Sequence, residues 1–413
     1  EVPLTIPRRI DGAALDLGGT RFDLKVGQWS PWYAVSFSTG FLQAEPGMVR
    51  FLLRSASPQL QLYASPVNFD PRKPMLPISY PATHAAYLAS KTGPFYTQGM
   101  PADTWALMEG RIDEAAFISI VDEVTASRQR ILDVALGEFK GGVLFSYFGC
   151  LDDMQHMFWR GIDDKNPLHD PASPYRDAIY QTYEKMDKVV GDVADKCPDA
   201  LVMVVSDHGF TSYRKSVNLN RWLIEHGYQS LKPGVKDADP NPIDWSKTRA
   251  YATGFGGIYV NLVGREYYGI VEENEVSALL TELRQGLEGL RDEDGQATVV
   301  ARVLPGASTY SGPQVARSAP DLYVGFTDGY RASWKTCLGQ PGDTVFETNQ
   351  RAWSGDHMVD PALVPGVIFV NRKVTLPNPS IMDIAPTLLS LFDVPLPEGV
   401  DGKVLFDRST VGR

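Results

Sequence analysis

The chain has 413 residues, with 39 basic and 50 acidic side chains, a net charge of −11 and an apolar fraction of 43%. That is enough to bury a sizeable core in two or three structural units, and an acidic balance without any basic run argues against binding a nucleic-acid polymer. Cys150, Cys197 and Cys337 are too few and too scattered for a disulfide framework or a thiolate metal site, and no apolar run approaches the roughly 18 residues of a membrane span.

Residues 1–7 (EVPLTIP) contain no Met and no charged-then-apolar pattern, so the expectation is a chain that begins partway through a longer protein, with a missing N-terminal segment or a partner chain upstream. Short alternating runs follow at 21–26 (RFDLKV), 34–37, 48–53 (MVRFLL) and 60–64 (LQLYA), punctuated by Gly and Pro. They predict a small antiparallel β unit over residues 1–75. A proline-rich connection at 68–81 suits an ordered irregular segment.

From about residue 109 the pattern becomes helix, then buried strand. A long helix is predicted over 112–139, ended by Gly141-Gly142, and 143–148 (VLFSYF) reads as a strand covered on both faces. A helix at 175–196 and a second buried strand at 200–205 (ALVMVV) come next. Further strands are expected at 257–262, 297–303, 321–325 and 366–370, with helices at 218–227, 273–290 and 381–392. Strands alternating with helices predict an α/β fold, an αβα sandwich with a largely parallel sheet, over 76–413.

Ligands of such sheets gather beyond the carboxyl ends of the strands, so polar clusters directly after apolar runs are the candidates for chemistry. Asp152-Asp153-Met154-Gln155-His156 follows VLFSYF. A carboxylate and an imidazole four apart share one helix face and can reach one ion. Ser206-Asp207-His208-Gly209 follows ALVMVV, and Gly209 permits the sharp turn that two neighbouring ligands need. The third cluster, Ser354-Gly355-Asp356-His357, precedes a strand. Three of the six histidines thus fall in clusters that also hold an aspartate. For any one cluster a capping Asp and a core His are an equal reading; the three together favour an oxygen- and nitrogen-ligated divalent ion such as Zn²⁺ or Mn²⁺.

The fragments YFGCLDDMQHMFWR, VVSDHGF, VNLNRWL, WSGDHMVDPALVPGVIFVN and DIAPTLLSLF, in this order, resemble the type I phosphodiesterase/nucleotide pyrophosphatase branch of the alkaline phosphatase superfamily. The resemblance covers most of residues 76–402. It implies a metal-dependent hydrolase of phosphate esters, most of all diesters, working through two divalent metal ions, Zn²⁺ first and Mn²⁺ as the alternative. Asp152, His156 and His357 would bind one ion; Asp207 and His208 would bind the other. Asp153 competes in the first cluster, and the spacing of four selects Asp152. Two-metal sites of this kind place the ions roughly 4 Å apart, and a Thr or Ser at a helix start would form a covalent phospho-enzyme.

That nucleophile, and a further Asp for the second ion, belong upstream of the first cluster, and the sequence offers neither in place. Asp16 leads into more β structure and is set aside; Thr83 and Thr97 are weak stand-ins. The chain alone is therefore expected to be a poor catalyst, and a non-catalytic metal-binding remnant is the rival outside enzymes. A sulfatase or phosphonate hydrolase is the rival within them, and a phosphosugar mutase a further, disfavoured one. Arg214 and Arg331 are candidates for bidentate contact with phosphate, with a structural ion pair as the alternative for each. His169 reads as a surface-loop residue and His226 as a helix-end cation, while His84 carries no assignment. Phe158, Trp159, Trp334 and Trp353 could shape a leaving-group site, although core packing is their more common role.

Overall fold

The computed structural model describes residues 4–6, 12–17, 20–40, 43–234 and 241–406. The chain forms two compact units: residues 1–157 with 177–200, and residues 158–176 with 201–413.

The first unit begins with the expected β structure. Strands β1 (Gly12–Leu17) and β2 (Thr20–Lys25), β3 (Tyr33–Gly40) and β4 (Gln43–Val49), and β5 (Phe51–Ser55) and β6 (Gln61–Ala64) pair as antiparallel neighbours. Their short connections leave no room for a parallel crossover. Leu15, Leu24, Tyr33, Phe51 and Leu53 form the core of this part, with Phe22 stacked on Tyr33 at 4.0 Å between ring centroids. The helices α1 (His84–Thr92), α2 (Thr104–Met108), α3 (Glu114–Glu138), α4 (Cys150–Phe158) and α5 (Ala178–Lys196) follow. Helix α3 starts where the Asp113 carboxylate accepts the Ala116 N–H, satisfying one of the orphan donors of a helix start. Its buried Phe117, Ile120, Val121 and Val124 recur at helical spacing. The helix is tied to the β part by Trp29 Nε1, which donates to Ser119 Oγ at 2.8 Å, and by the Arg50–Glu123 ion pair at 2.6 Å.

The second unit is organised round a four-stranded sheet in the order β9 (Ala250–Thr253), β10 (Gly257–Val260), β12 (Leu322–Phe326), β11 (Val300–Pro305). Two strands precede it in the chain, β7 (Met203–Val205) and β8 (Thr211–Val217), together with helix α6 (Leu219–Glu225). Ala250, Ala252, Ile258, Val260, Leu322 and Val324 point from one face of the sheet into the main core. Leu279, Leu283 and Leu287 of α7 (Glu273–Glu288) are buried in the same core, at the i, i+4, i+8 spacing of one helix face. A second sheet is centred on β8, which pairs with β13 (Gly329–Ala332), β14 (Phe346–Thr348) and β15 (Gly355–Asp356). A third, of two strands, joins β7 to β16 (Ile368–Val370). The last helix is α8 (Ile384–Leu391).

The α/β content agrees with expectation, but the largely parallel sheet does not. Among the described strands β13 and β8 run parallel, whereas every other ladder pairs antiparallel. Connection length is the reason: residues 254–256 alone join β9 to β10, and a parallel crossover needs a dozen residues or more. The predicted strand at 143–148 is likewise absent from every sheet among the described residues. Its Phe145 is 77% exposed, and Val143 and Tyr147 are exposed beside it. An apolar run reads as a buried strand only where a neighbouring strand covers it, and the run itself does not encode that neighbour.

Candidate metal centre

In the first unit α4 carries Asp152 and His156 one helical turn apart, so both side chains leave the same face. Asp152 Oδ2 lies 3.6 Å from His156 Nε2. His156 is buried, whereas Asp152 remains partly open. Two ligands at the usual 2.0–2.2 Å from a tetrahedral ion stand roughly 3.4 Å apart, so this separation fits a shared ion better than a direct hydrogen bond. The competing Asp153 is buried, and burial, then the adjacent Asp152 charge, push its carboxyl up to about 7. A carboxyl that resists ionisation is the poorer ligand of the two.

In the second unit Asp207 and His208 follow β7 directly. Asp207 Oδ2 lies 3.5 Å from His208 Nε2, repeating the ligand-like spacing of the helix pair. His208 Nδ1 is 2.9 Å from the Gly209 carbonyl oxygen; with the proton on Nδ1, Nε2 presents its lone pair. Gly209 is required here by close approach rather than by an unusual turn. A Cβ at that position would stand 2.7 Å from the Pro365 carbonyl oxygen, and the Gly209 N–H donates to Val364 O at 2.8 Å. Gly366 is constrained in the same way, since its Cβ would meet Ser206 O at 2.7 Å. Close backbone packing on both sides therefore fixes the segment that carries Asp207 and His208.

The same unit brings His357 against His208. Their rings stack at 3.6 Å with 12° between planes, and Phe210 meets His357 edge-on at 5.2 Å. Burial first, and then the His208 charge, lower the His357 pKa, which favours the neutral imidazole that a metal binds. Asp207, His208 and His357 open on a cleft of about 300 Å³ whose other walls include Tyr323, Met358 and Val364.

Both candidate phosphate-binding arginines are engaged in ion pairs. Arg214 Nε donates to Asp163 Oδ2 at 2.7 Å and Nη1 lies 3.1 Å from Asp328 Oδ2. Arg331 is 1% exposed and donates from Nη1 to Asp356 Oδ2 at 2.6 Å. Asp163, Asp328 and Asp356 all lie far from their arginines in sequence. His169 Nδ1 lies 2.7 Å from Arg160 O, and His226 stacks on Trp222 at 4.3 Å. His84 is exposed beside Tyr87. Thr97 is fastened to the Asn68–Phe69 segment, its N–H on Asn68 Oδ1 and its Oγ1 on Phe69 O. Thr83 is exposed one residue ahead of α1. Asp16 sits mid-ladder in β1, opposite Arg21. The aromatic candidates divide: Phe158 is buried, Trp159 stacks with Phe210, and Trp334 meets Trp353 edge-on.

Sequence comparison settles the family. Residues 66–346 match the type I phosphodiesterase / nucleotide pyrophosphatase family. The chain belongs to that family. The match spans more than half of the chain and includes Asp152, His156, Asp207 and His208; His357 lies beyond it, so its inclusion rests on its stack with His208. No curated protein matches the chain. Membership makes phosphate-ester hydrolysis the class of chemistry. No helix among the described residues is long and apolar enough to cross a membrane.

Proposed function

We propose that this protein is a metal-dependent phosphodiesterase that uses two divalent ions, Zn²⁺ or, failing that, Mn²⁺. In this reading Asp152, His156 and His357 hold one ion, while Asp207 and His208 contribute to the second. The observation that carries it is the repeated carboxylate–imidazole spacing, 3.6 Å on α4 and 3.5 Å after β7, in a donor set without thiolate. When bound, such ions supply Lewis-acid charge that binds phosphoryl oxygens and lowers the pKa of an attacking group. The protein's own residues fix the donors. Helix α4 sets the first pair by its pitch, and close packing at Gly209 and Gly366 sets the second. His357, whose neutral form is favoured by burial, offers a nitrogen lone pair.

The substrate is a small phosphate diester, admitted to the cleft lined by Asp207, His208 and His357. The covalent nucleophile has no residue assigned to it, and we propose that the chain by itself turns over diesters far more slowly than a family member that carries one. Hydrolysis of bis(4-nitrophenyl) phosphate tests the reading. Slow turnover that a chelator abolishes and Zn²⁺ or Mn²⁺ restores is expected. Turnover indifferent to chelation, or faster cleavage of 4-nitrophenyl sulfate, would overturn it.

A further inference from the structure

Arg331 is the least expected residue of the second unit. Its guanidinium is buried to 1% exposure, and Nη2 has no hydrogen-bond partner. It is enclosed by aromatic rings, with Cζ 4.2 Å from the Trp334 centroid and 5.0 Å from that of Tyr213. Removing a cation from water is costly, and well-packed apolar groups would commonly serve stability as well or better. The arrangement therefore asks what the charge does. Its ion partner is Asp356, itself 1% exposed and the residue immediately before His357.

The two oxygens of Asp356 face different tasks. Oδ2 accepts from Arg331 Nη1 at 2.6 Å and from Trp353 Nε1 at 2.8 Å. Oδ1 accepts the backbone N–H groups of His357 at 2.8 Å and Met358 at 2.9 Å. One oxygen is anchored in the core, and the other grips the turn that presents the His357 ring to His208. The strand pairing of Asp356 with Thr211 and of Gly355 with Ser212 places this turn beside the segment that follows His208. Loss of the charge at 356 would weaken the clamp on the backbone of 357–358, and displacement of the group would remove it, although nothing would have touched the imidazole itself.

We infer that Arg331 and Asp356 are positioning residues: the buried pair, acting through the Asp356 carboxylate, fixes the His357 backbone so that its ring is preorganised as a metal ligand. This inference rests on the proposed function, since it assigns a purpose to the pair only if His357 binds an ion. Outer partners of this kind commonly alter metal affinity by about 10–100-fold when removed.

The test is Co²⁺ binding to the whole chain, read by competition with a chelator and by the visible absorption of the bound ion. The variants are Arg331→Met, Arg331→Lys, Asp356→Asn, Trp353→Phe and His357→Ala, each with a thermal melt. Arg331→Met and Asp356→Asn are expected to weaken the ion that depends on His357 about 10–100-fold and to change its absorption band. Arg331→Lys should recover part of the loss, and Trp353→Phe, which removes one bond to Oδ2, should show a smaller loss in the same direction with the fold intact. If the Arg331 and Asp356 variants melt as the parent does and keep its affinity and band, or if Trp353→Phe alone remains folded and is unchanged, the inference is wrong. His357→Ala separates this from failure of the underlying reading. If that variant also binds Co²⁺ like the parent, His357 is no ligand and the metal assignment itself falls.

Discussion

The two units present their donors by different physical means. In the first, Asp152 and His156 owe their 3.6 Å approach to the pitch of α4 alone, because any helix through both residues would bring them to one face. In the second, Asp207 and His208 are adjacent in sequence, where regular structure would point them apart. Their approach depends on backbone packing against Val364, Pro365 and Gly366, and on a His357 presented from a turn about 150 residues further along the chain. Local geometry should tolerate distant mutations, and geometry built from tertiary contacts should not.

The largest effect that would sharpen this contrast is expected at Asp163. Its carboxylate takes Arg214 Nε, Arg214 Nη2 and the Ser212 hydroxyl, and so braces the start of β8, just after His208. Burial opposes its ionisation, but the bonds from Arg214 and Ser212 outweigh that and hold the carboxyl below the usual carboxylate range. A lowered carboxyl pKa contributes stability above the unfolded value of about 3.9, and that contribution is lost as pH falls through the folded value. Asp163→Ala should therefore cost about 3 kcal/mol near pH 7, of the order found when one partner of a buried pair is removed. The gap from the parent should narrow as pH falls below the unfolded value and through the lowered folded one. Denaturant melts across pH check this, and a pH-independent gap would show that the carboxylate's charge is not what matters.

Gly209→Ala comes next. The added methyl meets the Pro365 carbonyl at 2.7 Å, so about 2 kcal/mol of overpacking is expected, together with loss of any ion held by Asp207 and His208. Metal titration beside a thermal melt would read both. An unperturbed variant would mean that the segment yields more readily than its packing implies. The smallest effect is predicted for Asp113→Ala, which removes the α3 cap and costs about 1 kcal/mol. Its salt bridge to Arg54 is half exposed and adds little. This loss should leave ion binding by Asp152 and His156 unchanged, and a Co²⁺ titration that moved with the cap would break the claim that α4 sets its pair locally.

Legibility in the sequence follows the same division. Asp152 and His156 were readable because helix spacing is a local property, and Asp207-His208 because the cluster ends an apolar run that does become β7. The reason for Gly209 was not readable, since its constraint comes from residues 364–365. Nor were the partners of the two arginines: Asp163 lies 51 residues before Arg214, and Asp356 lies 25 residues after Arg331. The expected helices lie within a few residues of the observed ones, as with 112–139 against Glu114–Glu138, whereas α1 and α2 had no expected counterpart. Strand direction was missed because it depends on which strand lies alongside, and the exposed 143–148 run shows the same limit.

The measurement that addresses the central claim most directly is metal stoichiometry by elemental analysis of the purified chain, prepared without added metal and compared with His156→Ala and His357→Ala. The account predicts about one tightly held ion per chain, lost in both variants while their folds persist. A parent chain without bound metal, or an ion retained in both variants, would contradict it.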